Sequence, residues 1–128
     1  MSELPNPNDI YSKEARLALT KMVMKLFTLW QLTTADQAIL LNRSLSSVRR
    51  YQKGGCFADG NEIFDRVGYL LRIHKYLRML YPHNPVIIYR WVSADNKAFA
   101  GKPALEVMKQ GFAGLKTVSI HLNQRLDE

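Results

Sequence analysis

The chain has 128 residues, of which 47% are hydrophobic and 23% charged, and its formal net charge is +7. That length and balance fit one compact core, or two small helical lobes sharing it, and exclude global disorder. A single cysteine, Cys56, excludes an intramolecular disulfide framework and a cysteine-rich metal site. The basic excess makes nucleic acid the leading class of partner, because neutralising phosphates releases counterions.

Residues 1–11 carry Pro5, Pro7 and Asp9 and read as a flexible arm. They have neither the basic n-region nor the apolar h-region of a secretory signal, and no apolar run matches a bilayer's thickness. The expectation is a cytoplasmic protein with no membrane contact. From Ser12 the positions Ala15, Leu19, Met22, Leu26 and Trp30 recur at intervals of three and four, a helix period with Ser12 as N-cap. Thr33 or Thr34 caps a second short helix through Leu41. Asn42-Arg43-Ser44 is a turn, and a third helix runs from Leu45 to Lys53 until Gly54-Gly55 stops it. Ile63, Val67, Leu70, Leu71, Leu77 and Leu80 mark a long helix ending before Pro82. Val86 to Trp91 has strand propensity but no second strand to pair with, so a short buried helix is expected. Pro103 suits the first turn of another helix and Gly111 its C′ position, and Leu115, Val118, Leu122 and Leu126 give a last amphipathic helix. The fold class is all-α. Residues 12–60 form a helix-turn-helix lobe, joined by a long helix to a small helical C-terminal lobe within residues 61–128.

Residues 34–54 meet the separate steric demands of a helix-turn-helix. Ala38 is a small residue where two helices would cross, Asn42 tolerates an unusual backbone at the turn, and Val48 is an apolar anchor in the second helix. Tyr51, one turn later, can close the same small core with Leu41. With Val48 and Tyr51 inward, Leu45, Ser46, Arg49, Arg50 and Lys53 lie on the outer faces. Ser44, Leu45 and Ser46 would then sit nearest the base edges of a major groove. Arg49 can pair with a guanine or a phosphate, and Arg50, Lys53 and Gln37 are assigned to phosphate. No acid lies between Gln37 and Ala58, and Arg43, Arg49, Arg50 and Lys53 supply four positive charges. The competing reading is a solvated basic face on an ordinary helical hairpin. Arg43 favours it, standing where such motifs often place an apolar residue.

Trp91, then the run Ser93 to Pro103 with Asn96 and Phe99-Ala100-Gly101-Lys102-Pro103, then Leu105, Met108 and Gly111, resembles the toxin-binding region of the Xre/MbcA/ParS-type antitoxins. The upstream helix-turn-helix and Arg66 fit the same resemblance, which covers about residues 30–128. On physical grounds Trp91 and Phe99 are apolar anchors for the lobe, Gly101 permits a tight backbone and Pro103 starts a helix. The resemblance implies a cognate RES-type toxin that consumes NAD, neutralised by covering its active-site cleft. It places the covering residues near the C-terminus, here Arg125, Leu126, Asp127 and Glu128.

Nothing in the sequence argues for catalysis. His74, His83 and His121 fall on separate segments without metal-ligand spacing, and His74 reads as a core-edge residue. Cys56 has no CxxC and no evident activating His. There is no GxGxxG, phosphate loop or nucleophile elbow. The sequence therefore reads as a non-enzyme with no cofactor and no metal. Its expected function is toxin neutralisation with operator DNA binding that autoregulates the operon, as a homodimer. The apolar first helix, with Met22, Met24, Phe27 and Trp30, offers either a dimer surface or simply core. The alternatives are a stand-alone repressor whose C-terminal lobe dimerises, and a protein-binding adaptor with a degenerate helix-turn-helix.

Overall fold

The computed structural model describes residues 12–58 and 60–128, so the arm expected over residues 1–11 lies outside the described residues. The described residues are all-α, with seven helices and no strand. They are α1 (Lys13–Leu29), α2 (Thr34–Leu41), α3 (Leu45–Gln52), α4 (Asn61–Leu80), α5 (Pro85–Arg90), α6 (Ala104–Met108) and α7 (Phe112–Leu126), with a 3-10 turn at Lys97–Phe99.

Local chemistry sets these boundaries. The hydroxyls of Ser12, Thr33 and Ser44 each accept from a backbone N–H three residues on, capping α1, α2 and α3. Asn84 does the same for α5 with its side-chain carbonyl. Helix α1 ends at Trp30, and the chain reverses through Gln31 at φ 58°, closed by Leu32 N–H donating to the Phe27 carbonyl at 3.0 Å. A non-glycine residue in this conformation is strained, and the turn holds it there. Helix α6 ends at Lys109, one residue earlier than a C′ Gly111 requires. Gly111, at φ 120°, instead precedes α7 as its N-cap. Pro103 likewise falls just outside α6, as its extended N-cap residue.

Helix α4 is the central element, packed against α1, α2, α5 and most extensively α7. Its buried positions Ile63, Val67, Leu70, Ile73 and Leu77 repeat every three or four residues and face the core. One hydrophobic cluster runs from Val23 on α1 through Leu41, Val48 and the α4 stripe to Leu122 on α7, so the two lobes share a single core. On α1 the buried stripe is Thr20, Val23, Leu26 and Phe27, and Met22 faces solvent. Phe27 and Trp30 are core, whereas Met22 and Leu29 stand exposed on the outer side. Thr20 tolerates burial because its hydroxyl donates to the Arg16 carbonyl and accepts from Phe57 N–H at 2.9 Å. Helix α5 is less buried than its composition suggests: Ile88 is inside, whereas Val86 and Ile87 are exposed. The close approach of α6 and α7 depends on Gly114, where an added Cβ would lie 1.9 Å from the Val107 carbonyl oxygen. An ion pair of Lys109 with Asp36, at 3.0 Å, ties the end of α6 to the first turn of α2 and raises the Lys109 pKa. Among the described residues no helix is long and apolar enough to cross a membrane.

Candidate nucleic-acid interface

Helices α2 and α3 pack against each other and are joined by a tight turn. Asn42 takes the left-handed conformation, φ 53° and ψ 51°, and Arg43 N–H closes the turn on the Ala38 carbonyl at 3.0 Å. Ala38, Leu41, Val48 and Tyr51 are all buried, so α3 has a fixed inward side. Tyr51 meets Phe57 edge-on at 4.8 Å, which folds the following loop beneath α3. Ser44, Leu45, Ser46, Arg49, Arg50 and Lys53 are exposed together on the outer side.

These residues differ in how free they are. The Ser44 hydroxyl is occupied, accepting from Ser47 N–H and bonding the Ser47 hydroxyl, so its role is to start the helix. Arg50 lies with its guanidinium 5.3 Å from the Tyr51 ring, its stem against Gly55, where an added Cβ would come within 2.7 Å of Arg50 Cγ. Arg49 and Lys53 make no ion pair among the described residues. Leu45, at the first turn, presents an exposed apolar side chain beside Ser46.

Two sequence assignments change. Gln37 is 6% exposed; its amide N–H donates to the Leu32 carbonyl at 3.1 Å and its oxygen accepts from Gln52 at 3.3 Å. A side chain so engaged braces α2 against α3 and is not placed to reach a phosphate. Gln52, which also donates to the Thr34 hydroxyl at 3.3 Å, completes this brace and carried no sequence signal beyond its position on α3. Arg43 is not part of the free basic face either. Its guanidinium pairs with Glu62 at 2.9 Å and donates to the Asn42 carbonyl.

Glu62, in the first turn of α4, is the hub that holds the turn in place. It accepts from Asn42 at 3.2 Å, Arg43 at 2.9 Å and Arg66 at 2.6 Å. Arg66 also donates to the Leu40 carbonyl near the end of α2. The Arg43 and Arg66 hydrogen bonds hold the Glu62 carboxyl far below its ordinary 4.5, at about 2. Arg43 therefore occupies an apolar residue's usual place because its charge is used locally.

The C-terminal motif residues come together as a small aromatic lobe. Trp91 and Phe99 meet edge-on at 6.4 Å, and His121 stacks on Trp91 at 6.3 Å and lies 5.2 Å from Phe99. Burial, and then Arg125, push the His121 pKa down. Asn96 caps the 3-10 turn through Ala98 N–H, and its carbonyl accepts from Phe99 and Gly101 N–H. Ala100 and Gly101 follow with positive φ, and Asp95 and Pro103 form an isolated bridge. At the chain end, Arg125 lies 5.9 Å from the Tyr81 ring and Leu126 is half-buried, whereas Asp127 and Glu128 are exposed. Of the four C-terminal residues, the two acids are thus the ones presented outward. No protein-family model matches this chain, and no curated protein matches it.

Proposed function

We propose that this protein is a DNA-binding antitoxin, a repressor of its own operon that also holds and neutralises a protein toxin. The observation that carries the DNA-binding half is the exposed outer side of α3. It offers Arg49, Arg50 and Lys53 to a phosphate backbone and Leu45 and Ser46 to base edges. Leu45 suits apolar contact with a thymine methyl, and Arg49 suits bidentate pairing with a guanine. The Glu62 hub and the Gln37–Gln52 brace support the reading, because recognition demands that α3 be rigidly aimed. Retention of DNA from the chain's own upstream region, measured at several salt concentrations, is the test. The expected result is binding that weakens steeply with salt, with Arg49→Ala and Lys53→Ala each lowering the slope by about 1. A flat salt response, or no binding at low salt, refutes it.

The toxin-binding half rests on the resemblance of residues 91–111 to the Xre/MbcA/ParS-type antitoxins. That resemblance implies a partner of the RES-type toxin class, which consumes NAD. Asp127 and Glu128 are the exposed C-terminal groups available to enter a partner's cleft. Co-expression with the neighbouring gene's product, comparing the full chain with one ending at Leu122, tests this. Loss of neutralisation on truncation is the expected outcome, and equal protection by both chains removes the C-terminal plug.

A further inference from the structure

We propose that a trough formed by α1, α4 and α5 docks an acidic amphipathic segment of a partner protein. This deepens the partner-binding half of the proposed function and rests on it only in that the partner is a protein. Three depressions run into one another along these helices. One of about 440 Å³ shares Met22, Leu71, His74 and Arg78 with a neighbour of about 290 Å³. That neighbour shares Leu29 and Tyr89 with a third of about 300 Å³. Apolar side chains stand exposed along the trough: Met22 is 56%, Met79 54% and Val86 63% exposed. Such a set matches the anchors that a helix lays into a hydrophobic groove.

Charge selects the occupant. Residues 15–35 and 66–94, which supply the lining, contain no Asp or Glu. Lys25, Lys75, Arg78 and Arg90 line the trough, are exposed, and make no ion pair among the described residues. A second copy meeting this face about a twofold axis would bring those cations against their own kind. A phosphate backbone would gain nothing from the apolar floor, and a recessed trough fits a bilayer surface poorly. An acidic segment with apolar anchors satisfies both features at once.

The test uses the full chain labelled with ¹³C at its methionine methyls. Two designed helical peptides serve as probes, one of Glu and Leu and one of Lys and Leu. The Glu/Leu peptide is expected to move the Met22 and Met79 resonances and leave the buried Met108 still. Lys75→Glu with Arg78→Glu is expected to weaken that binding by about tenfold or more. Met79→Gln, a change at a residue 54% exposed, is expected to weaken it while the thermal unfolding midpoint, read alongside, stays within a few degrees of wild type. Equal binding of the Lys/Leu peptide, or unaltered binding by the variants, overturns the proposal. So do Met22 and Met79 shifts that follow protein concentration alone, which would mark self-association, or shifts with anionic phosphatidylglycerol vesicles but not with the peptide. Operator retention by the wild-type chain is read separately, so failure of the DNA-binding reading and failure of this one are distinguishable.

Discussion

Replacing Glu62 by Gln is the most informative single change, because one half-exposed carboxylate fixes the turn that aims α3. Its pKa falls from 4.5 to about 2 on folding, with the Arg43 and Arg66 hydrogen bonds as the main causes. At about 1.4 kcal/mol per tenfold change in proton affinity, that sets an upper bound of about 3 kcal/mol. Half of the Glu62 side chain is open to solvent, against 27% of Arg43 and 11% of Arg66, and screening lowers the expected loss to about 1–2 kcal/mol. The sign follows from linkage. A carboxylate with a depressed folded pKa contributes its full stability above 4.5 and loses it as pH falls towards 2. Urea unfolding of the wild-type and Glu62→Gln chains, at pH 7 and in steps down to pH 3, provides the measurement. The gap between the two is expected to be widest at pH 7 and to shrink through the window below 4.5. Under the proposed DNA-binding reading, operator affinity at pH 7 should fall with it, since Gln keeps one acceptor oxygen and replaces the other by a donor, and so cannot serve Asn42, Arg43 and Arg66 together. A gap that is independent of pH, or below about 0.3 kcal/mol at pH 7, refutes the hub.

Gly114→Ala is expected to destabilise the chain by about 3 kcal/mol, the upper end for overpacking, because the new methyl meets a backbone carbonyl and not a movable side chain; thermal unfolding reads it directly. Gln31→Gly should stabilise by about 0.5–1 kcal/mol, since glycine removes the strain at φ 58°, and a lower unfolding midpoint would contradict the strained turn. Burial, and then Arg78, depress the His74 pKa below 6.5, so the unfolded chain takes up the proton first and stability falls as pH drops below 6.5. His74→Phe, which keeps a ring against Tyr89, removes that share of the acid loss, to be read as a flatter stability profile between pH 7 and 5.

The sequence by itself determined the helices and the turn between α2 and α3. Caps at Ser12, Thr33 and Ser44, the left-handed Asn42 and the glycine stop after α3 are local chemistry, written in adjacent residues. The inward pair Val48 and Tyr51 was legible for the same reason, because a short helix with two apolar positions one turn apart has one side to bury. Tertiary structure decided what each polar side chain meets. Gln37 turned inward because Leu32 and Gln52 lie within reach, and Arg43 left the basic face because α4 begins beside it with Glu62. The outward Met22, the exposed α5 and the small residue required at 114 depend on which helix packs against which, and a periodicity confined to one segment carries no record of its neighbours. Spacing along the chain fixes where a helix can turn a face; only the assembled helices decide which face finds a partner.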